Sequence, residues 1–473
     1  MTQKIALSLH PDRLFPADST TRGIARELYQ AVSGLPIISP HGHTDPRWFA
    51  GNQPFENAAE LLIKPDHYLL RMLYSQGIPL TALGIGGSDA GAVETDPEVI
   101  WQRFADHYYL FRGTPSRMWL DHVFAEVFGI DEVLTSATAG DYYQHINRAL
   151  ASDEFRPRAL FERFNIELLA TTEGPLDDLR HHRQIRESGW QGRVITTFRP
   201  DPVLDPQYEG FVGNVQELGR LTGESVETFD GYLRALFARR AFFKANGATA
   251  TDHGHPTAAT ADLSREDCEQ LYQLVMSGHA NAAQAELFRA QMLTEMAGMS
   301  LEDGLVMQIH PGVFRNHNPQ LFTQFGRDKG ADIPLQTEYV NALHPLLSKY
   351  GNNADLTIIV FTLDETSYSR ELAPLAGHYP ALKVGPAWWF HDSPEGMRRY
   401  REQITETAGF YNTVGFNDDT RAFLSIPARH DVARRMDCAF LAQLVAEHRL
   451  TQQEAAETAV DLAYNLARTA YKL

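Results

Sequence analysis

The feature that most constrains this fold is a repeated alternation of short apolar segments with helix-like segments. Each apolar segment ends in polar residues, and several are followed by stretches with helical periodicity, such as "PLDDLRHHRQIRESG" and "SPEGMRRYREQITETAG". Continuous apolar runs bounded by turn residues are typical of strands buried on both faces, as in a parallel sheet. The eight candidate strands cover residues 35–43, 166–175, 193–201, 248–256, 305–312, 356–365, 381–392 and 411–419.

Eight strands alternating with helices predict an α/β fold of the (β/α)8 barrel type. A doubly wound open sheet is the competing architecture, and the number of strands does not separate the two. No GxGxxG or P-loop motif follows any of the candidate strands. A nucleotide-binding sheet therefore lacks its usual support in the sequence.

Two long segments lie outside the alternation. Residues 44–165 look mostly helical and contain many aromatic residues, which predicts a helical insertion after the first strand that caps the barrel mouth. Residues 430–473 contain Thr451 and Glu454 at the spacing of a capping box, which predicts extra C-terminal helices on the outside of the barrel. We expect residues 1–473 to form a single barrel domain with these additions.

The composition excludes several classes of protein. The 42 Lys+Arg and 60 Asp+Glu give a net charge of -18, and such a surface repels the phosphate backbone of nucleic acids. The two cysteines, Cys268 and Cys438, form no CxxC motif, which argues against a disulfide framework and against a thiolate zinc site. We find no signal peptide and no apolar run of about 18 residues that could span a membrane. A cytoplasmic protein is expected, and the sequence leaves its oligomeric state open, a homo-oligomer included.

Residues with useful chemistry collect where the predicted strands end. In a (β/α)8 barrel the catalytic groups lie at the C-terminal ends of the strands. Here those ends read, in chain order, HGH, TTEG, FRPD, TDHGH, QIHPG, TLDE, WWFHD and NDDTR. A helical bundle or a structural protein would have little reason to end successive buried strands in this way.

The histidines of the first strand end form half of a candidate metal site. Residues two apart on a strand point to the same face, so His41 and His43 can both face the barrel interior. Neutral imidazoles suit Zn²⁺ and other divalent metals, although an isolated HxH pair often only packs. Strand eight adjoins strand one in a closed barrel, so a carboxylate there can complete a site with open positions for water or substrate. Asp419 shares a face with Arg421, and we interpret Asp418 as a solvated loop residue.

Other strand ends supply further candidates. His310 is a candidate metal ligand, proton carrier or hydrogen-bond donor, and a buried structural histidine is the alternative. Asp252 is a candidate acid or base, or a partner that orients another group. We interpret His253 and His255 as structural, because one strand end cannot aim all three side chains inward. Arg199 is placed to bind a carboxylate in bidentate fashion, with a surface salt bridge as the alternative.

The tryptophan pair "WW" follows the seventh predicted strand. We expect one of Trp388 and Trp389 to line the pocket wall while the other packs between a strand and a helix.

The HxH pair and the aspartate of strand eight resemble the amidohydrolase superfamily, whose members use distorted (β/α)8 barrels. Within it, the wider pattern is similar to the uronate isomerase (glucuronate isomerase) family. The similar stretches follow the expected order along most of the chain: "DHYLLR" (66–71), "HHRQI" (181–185), "RPD" (199–201), "DHG" (252–254), "QIHPGVFRNHN" (308–318), "VGPAWWFHDSPEGM" (384–397) and "DDTRAFLS" (418–425).

The resemblance implies a role for each matching residue. It implies one divalent metal ion, with zinc expected, held by His41, His43 and Asp419. It implies catalytic roles for Tyr68, Asp252, His310, Asp419 and Arg421, and substrate binding by Arg199, Arg421, Trp389 and His310. The chain departs from the family at Gly42, where a cysteine is common, and in the "TDP" that follows the histidines. The departure leaves the ligands intact and bears on the loop shape and on the preferred hexuronate.

The activity implied by the resemblance is aldose–ketose isomerisation of a hexuronate, from D-glucuronate to D-fructuronate or from D-galacturonate to D-tagaturonate. Such chemistry moves a proton from C2 to C1 through an enediol, and the sequence does not rank Tyr68, Asp252 and Asp419 as proton carriers. The alternative is a mononuclear metal-dependent hydrolase of the same superfamily. No strand end carries a lysine that could bridge two metals, which favours one ion. A non-catalytic sugar-acid binding protein is the third hypothesis.

Overall fold

Seven parallel strands form the centre of the protein in a computed structural model that describes residues 5–88 and 91–473. The first four residues of the segment considered above for a signal peptide lie outside the described residues. In spatial order the strands are β1 (Ile37–Ser39), β2 (Ile166–Glu173), β3 (Arg193–Phe198), β4 (Ala250–His253), β5 (Val306–Ile309), β8 (Ile358–Val360) and β9 (Leu382–Val384). A separate antiparallel hairpin consists of β6 (Val313–Phe314) and β7 (Ile333–Pro334).

Helices surround the sheet and connect its strands. Before β2 lie α1 (Ser19–Val32), α2 (Pro46–Gly51), α3 (Ala58–Leu62), α4 (His67–Ser75), α5 (Pro97–Asp106), α6 (Pro115–His122), α7 (Ala139–Leu150) and α8 (Pro157–Arg163). Between β2 and β5 lie α9 (Arg180–Glu187), α10 (Asp201–Leu204), α11 (Phe211–Thr222), α12 (Phe229–Ala245), α13 (Arg265–Met276) and α14 (Ala282–Asp303). The remaining helices are α15 (Pro319–Phe325), α16 (Val340–Tyr350), α17 (Ala373–Ala376), α18 (Pro394–Ala408), α19 (Ile426–Ala446), α20 (Gln452–Val460) and α21 (Leu466–Ala470).

The curled parallel sheet with helices between successive strands confirms the predicted α/β fold class. All residues of β1, β4, β5 and β8 are buried, as continuous apolar runs indicate for a sheet covered on both faces. Alternation along β4 and β5 divides their side chains between two environments. Ala250 and Val306 pack in the barrel interior with Phe361, whereas Met307 and Ile309 pack in the core outside the sheet.

The eighth predicted strand, residues 411–419, differs from the prediction. It forms one isolated parallel bridge, between Thr413 and Val384 of β9. Further along, the His43 N–H donates to the Thr420 carbonyl at 3.0 Å, so the segment links both edges of the sheet without being a regular strand. Left-handed backbone at Gly415 (φ +75°) and Asp419 (φ +39°) interrupts the extended conformation that a strand requires.

The segment between β1 and β2 contains α2–α8 and shares its core with the barrel. Buried aromatic residues of this segment, among them Trp101 and Phe124, belong to the same hydrophobic cluster as Ile37 of β1 and Leu169 of β2. The predicted insertion boundary at about 44–165 and the single domain of residues 1–473 stay predictions.

The C-terminal helices are fixed to the barrel in two ways. Helix α20 begins with the predicted capping box between Thr451 and Glu454, and it packs in a cluster that contains residues of α1 and α19. The chain end after α21 instead reaches inside the barrel, because the buried Tyr471 hydroxyl donates to Gln308 Oε1 at 2.8 Å. The prediction that the C-terminal helices pack on the outside of the barrel therefore holds for α20 but not for the last residues of the chain. In the part of the chain that the structure describes, every helix is too short or too polar to cross a membrane.

Candidate active site

The end of β1 places the two predicted histidines side by side. The imidazole centroids of His41 and His43 lie 5.3 Å apart with an interplanar angle of 80°. His41 is buried, whereas the His43 side chain keeps 24% exposure. The loop between them is fixed by the Thr172 hydroxyl, which donates to the Gly42 carbonyl at 2.9 Å.

Asp419 completes a cluster with both histidines. Its Oδ1 lies 3.1 Å from His43 Nε2 and 3.5 Å from His41 Nε2. Zinc binds histidine nitrogen and carboxylate oxygen at about 2.0–2.2 Å, so two ligand atoms of one tetrahedral ion lie roughly 3.3 Å apart. Both distances are close to this separation, and the three ligand atoms lie within 4.8 Å of one another, so the cluster can hold one divalent ion.

The protonation states of this cluster also suit a metal ion. Burial lowers the pKa of His43 more than Asp419 raises it, so the imidazole stays neutral. Burial alone would raise the pKa of Asp419, but His41, His43 and His310 outweigh it and hold that pKa below its usual range. A neutral imidazole at His43 and an ionised carboxylate at Asp419 are the forms in which these groups bind metals.

A second buried group lies beside the first, at the ends of β4 and β5. Asp252 Oδ1 lies 2.7 Å from His310 Nδ1, and Asp252 Oδ2 lies 3.0 Å from Arg199 Nη1 and 4.0 Å from His41 Nε2. Burial would raise the pKa of Asp252, but Arg199, His310 and His41 hold it well below the usual range. Because the ionised carboxylate only accepts hydrogen bonds, His310 must carry its proton on Nδ1.

His310 is therefore oriented with Nε2 as its free acceptor. Its ring stacks against Phe361 at 3.9 Å and against His41 at 4.8 Å between centroids. The Nε2 atom is buried and has no hydrogen-bond partner among the described residues. The His310 Nε2 atom, at the end of β5 and beside His41, can therefore accept a proton or bind a ligand.

Arg199 is held between two carboxylates of the protein itself. Its Nε donates to Asp201 Oδ2 at 2.9 Å, and its Nη1 lies 3.0 Å from Asp252 Oδ2. Burial would lower its pKa, but Asp252 and Asp201 raise that pKa above the usual range. Arg199 also lines the cavity, so it presents a fixed positive charge there. The sequence predicted that Arg199 binds substrate, but it did not predict these two ion pairs with Asp201 and Asp252.

Tyr68 comes from the insertion, at the start of α4. Asp66 caps this helix by accepting from the Tyr68 N–H at 2.8 Å. The phenol hydroxyl donates to the Trp389 carbonyl at 3.4 Å. Burial raises the pKa of Tyr68 and is only partly opposed by Arg429, so the phenol stays protonated.

Arg421 and the two tryptophans border the open side of the site. Arg421 Nη2 lies 3.1 Å from Asp328 Oδ2, in the segment between α15 and β7, and the Arg421 side chain keeps 38% exposure. Trp388 and Trp389 both line the cavity, so the prediction that only one of them does is wrong. Trp388 also packs in the barrel interior beside Phe361, and the backbone of Trp389 that follows it is left-handed (φ +52°).

Asp418 corrects one prediction. It is buried rather than solvated, and its Oδ2 lies 3.0 Å from His430 Nε2 on α19. The irregular backbone of this segment turns Asp418 toward α19 and Asp419 toward the histidines. Helix α19 covers the outside of the segment, so no solvated loop forms there.

One cavity of about 1460 Å³ connects these residues at the carboxyl ends of the strands. The predicted residues that line it are Tyr68, Arg199, His310, Arg421, Trp389 and the three members of the His-His-Asp cluster. Asp252 lies behind this wall and is fully buried. Its position fits the alternative in which it orients His310 and Arg199. The assigned roles of all these residues stay predictions.

Sequence reasoning missed several residues of the cavity. His67, Glu173 and Arg429 also line it. Glu173 ends β2 and His67 precedes Tyr68, so the strand-end pattern and the "DHYLLR" stretch contained a signal for both. Arg429 lies on α19, and no strand-end rule points to a residue within a helix.

The arrangement combines three chemical functions in one cavity. Two histidines and a carboxylate can hold a divalent ion with open positions. A buried Asp–His pair and a protonated phenol can accept and donate protons. The guanidinium groups of Arg199 and Arg421 favour a ligand with negative charge.

Comparison with known proteins shows to which family this chain is similar. A family model described as glucuronate isomerase matches residues 19–471. A uronate isomerase of Sphingopyxis alaskensis is 68% identical over 471 residues, which cover 99% of each chain.

Two solved structures show the same similarity in three dimensions. The crystal structure of glucuronate isomerase from Caulobacter crescentus has a TM-score of 0.97 at 63% identity and covers 99% of this chain and 98% of its own. A uronate isomerase from Thermotoga maritima has a TM-score of 0.90 at 26% identity and covers 98% of this chain and 99% of its own. The resemblance found in the sequence is thereby confirmed.

Proposed function

This chain belongs to the glucuronate isomerase family, and we propose that it interconverts aldose and ketose hexuronates at the cavity described above. The proposed reactions are D-glucuronate to D-fructuronate and D-galacturonate to D-tagaturonate. The hydrolase alternative is not favoured, because the family model and the relatives at high identity are isomerases.

The observation that carries this proposal is that His41, His43 and Asp419 lie together at the same cavity as residues that can transfer protons. The three ligand atoms lie within 4.8 Å of one another, and the buried Asp252–His310 pair is adjacent. Isomerisation needs a charge-stabilising centre and proton-transfer groups around one substrate. A binding protein without catalysis would not need the second set.

We propose that one divalent ion, zinc in the first instance, is held by His41, His43 and Asp419. When bound, the ion would supply Lewis-acid polarisation of substrate oxygens. His41 Nε2 lies 3.5 Å from Asp419 Oδ1, so this is the ring nitrogen of His41 that would hold the ion.

The remaining side chains divide the proton transfers. Conversion of the aldose to the ketose takes the proton from C2 and delivers one to C1, while O1 gains a proton and O2 loses one. Asp419 is ionised and His310 presents a free Nε2, so both can accept a proton. Tyr68 stays protonated and can donate one. Asp252 acts in this proposal by holding the His310 proton on Nδ1.

Arg199 and Arg421 bind the charged end of the substrate in this proposal. Arg199 is fixed by Asp201 and Asp252 and gives a rigid contact. Arg421 is more exposed and pairs with Asp328, so it can exchange that carboxylate for the substrate's. The face of Trp389 supplies an apolar wall beside them.

The test is to incubate the protein with D-glucuronate or D-galacturonate in D2O and to follow the ketose and the deuterium at C1 and C2 by NMR. We expect ketose from at least one hexuronate, and His43→Ala should lose the metal ion of the His41–His43–Asp419 cluster and at least about 99% of the rate. His279→Ala is the matched control, since this exposed histidine lies outside the cavity. Absence of ketose from both hexuronates in metal-loaded wild type would refute the proposal, as would full activity of the His43 variant.

We also propose that this protein is cytoplasmic and acts in hexuronate catabolism. Both cysteines are free and buried, which is compatible with a reducing compartment. A small-molecule substrate is the expected partner, without nucleic acid or membrane, and a homo-oligomer stays open.

A further inference from the structure

A second cluster of metal-ligating side chains lies behind the active-site wall. It consists of Asp201, the first residue of α10, and of His253 and His255 at the end of β4. One ligand atom of each residue lies within 4.8 Å of the others, and all three residues are buried. His253 follows the inward-facing Asp252 on the strand, so it points out of the barrel interior.

Both imidazoles leave a buried ring nitrogen without a partner. Thr251 Oγ1 lies 3.1 Å from His253 Nε2, whereas His253 Nδ1 has no hydrogen-bond partner among the described residues. His255 Nε2 is likewise unpartnered, and it lies 3.9 Å from Asp201 Oδ1. Leaving a buried polar atom unpaired is unfavourable, so two such ring nitrogens in one cluster with a carboxylate indicate a missing ligand.

The surrounding charge favours a cation as that ligand. Arg199 is shared by Asp201 and Asp252, and Arg289 is shared by Asp205 and Glu286, so each of these two guanidiniums pairs with two carboxylates. A third guanidinium, Arg240 near His253, is paired with Asp303 at 2.6 Å. Burial also lowers the pKa of His253 to about 3, so this imidazole is neutral and keeps a lone pair.

The cluster is separate from the first metal centre and can be reached from the cavity. Arg199 lies between the two sites, with Nε toward Asp201 and Nη1 toward Asp252. Both oxygens of Asp201 accept from the Gly254 N–H at 3.1 Å, Oδ2 also accepts from Arg199 Nε, and Oδ1 faces His255 Nε2 at 3.9 Å. Asp201 and Gly254 line the cavity wall, which gives an ion a route inward.

We propose that Asp201, His253 and His255 form a second site for a divalent transition-metal ion, which would brace the carboxyl ends of β3 and β4. Two ligand atoms on one zinc ion lie roughly 3.3 Å apart. The 3.9 Å between His255 Nε2 and Asp201 Oδ1 therefore closes with a movement of a few tenths of an ångström from each side chain. The site goes beyond the proposed isomerase activity and does not depend on it.

The first test counts bound zinc in chelator-stripped protein titrated with Zn²⁺ against a competing chromophoric chelator. We expect two equivalents for wild type, one for His43→Ala, one for His255→Ala and none for the double variant. Circular dichroism of each variant checks that it is folded. A folded His43→Ala variant that binds no zinc, or the same amount as the double variant, would overturn the proposal.

The second test uses wild-type protein only, so it does not depend on whether a variant folds. Crystals soaked in Zn²⁺ are measured on both sides of the zinc absorption edge. We expect an anomalous peak within about 2.5 Å of His255 Nε2, in addition to one at His41 and His43. A peak at His41 and His43 alone would reject the second site and leave the proposed isomerase site standing.

Discussion

Glu173 at the end of β2 gives a prediction whose size follows directly from its surroundings. Only 9% of the residue is exposed, and its Oε2 accepts from the Thr196 hydroxyl. His182 Nε2 lies 3.6 Å from Glu173 Oε2, and burial lowers the pKa of His182 to about 4. His182 is therefore neutral at pH 7 and does not offset the charge of the carboxylate. Burial raises the pKa of Glu173 from 4.5 to about 7.

The sign of the effect follows from proton binding by the two states. Because the pKa of Glu173 is higher in the folded state, the folded chain holds a proton that the unfolded chain releases. The resulting stability is fully present below pH 4.5 and is lost as the pH rises through about 7. At 1.36 kcal/mol per pKa unit, the full loss is roughly 3 kcal/mol. Glu173→Gln keeps the shape without the charge, so the variant should not suffer this loss.

The assay is urea unfolding of metal-free protein, followed by far-UV circular dichroism at pH 5 and pH 8. The free energy of unfolding of Glu173→Gln, relative to wild type, should rise by roughly 2–3 kcal/mol between the two pH values. Glu187→Gln, at an exposed position on α9, is the control and should follow wild type at both. Parallel pH dependence of the Glu173 variant and wild type would refute the reasoning.

Three further substitutions test contacts of the site. Gly254→Ala would place a Cβ 2.0 Å from Arg199 Nη2, so we expect a displaced guanidinium and a KM at least about tenfold higher in steady-state kinetics. Arg429→Met leaves Asp392 without the partner that lies 2.7 Å away, and urea unfolding at pH 8 should show a loss of about 3–5 kcal/mol. Gly42→Ala meets its nearest atoms at an ordinary 3.5 Å, so thermal unfolding should show a change within about 1 kcal/mol and metal analysis an unchanged content.

Most of the strands could be predicted because their signal is local. The apolar run of residues 166–175 corresponds to β2 at Ile166–Glu173, and that of residues 193–201 to β3 at Arg193–Phe198. A strand buried on both faces must be apolar throughout, whatever its neighbours are. The hairpin of β6 and β7 was not predicted, because its strands have two residues each and leave no periodic pattern.

The metal cluster could be predicted only in part for a related reason. His41 and His43 lie just beyond β1, which ends at Ser39, so alternation along that strand suggested their shared direction without strictly applying to them. Residues 411–419 do not continue as a strand, so alternation has no meaning for Asp418 and Asp419. The partner of Asp418 is His430, a residue on a helix whose packing no local pattern specifies. The burial of Asp252 behind Arg199 and His310 likewise depends on how β3, β4 and β5 pack side by side, which no local pattern specifies.

The irregular backbone that defeats prediction also explains how Asp419 reaches the histidines. A non-glycine residue at positive φ costs about 1–3 kcal/mol and persists only where its surroundings fix it. Asp419, at φ +39°, is fixed on both sides. Asp418 before it bonds to His430 at 3.0 Å, and the carbonyl of Thr420 after it accepts the His43 N–H at 3.0 Å. The hydrogen bond from the His43 N–H to the Thr420 carbonyl joins the segment after β9 to the end of β1, and it also holds the Asp419 carboxylate beside the imidazoles. The closure of the barrel and the geometry of the cluster therefore depend on one turn of the chain.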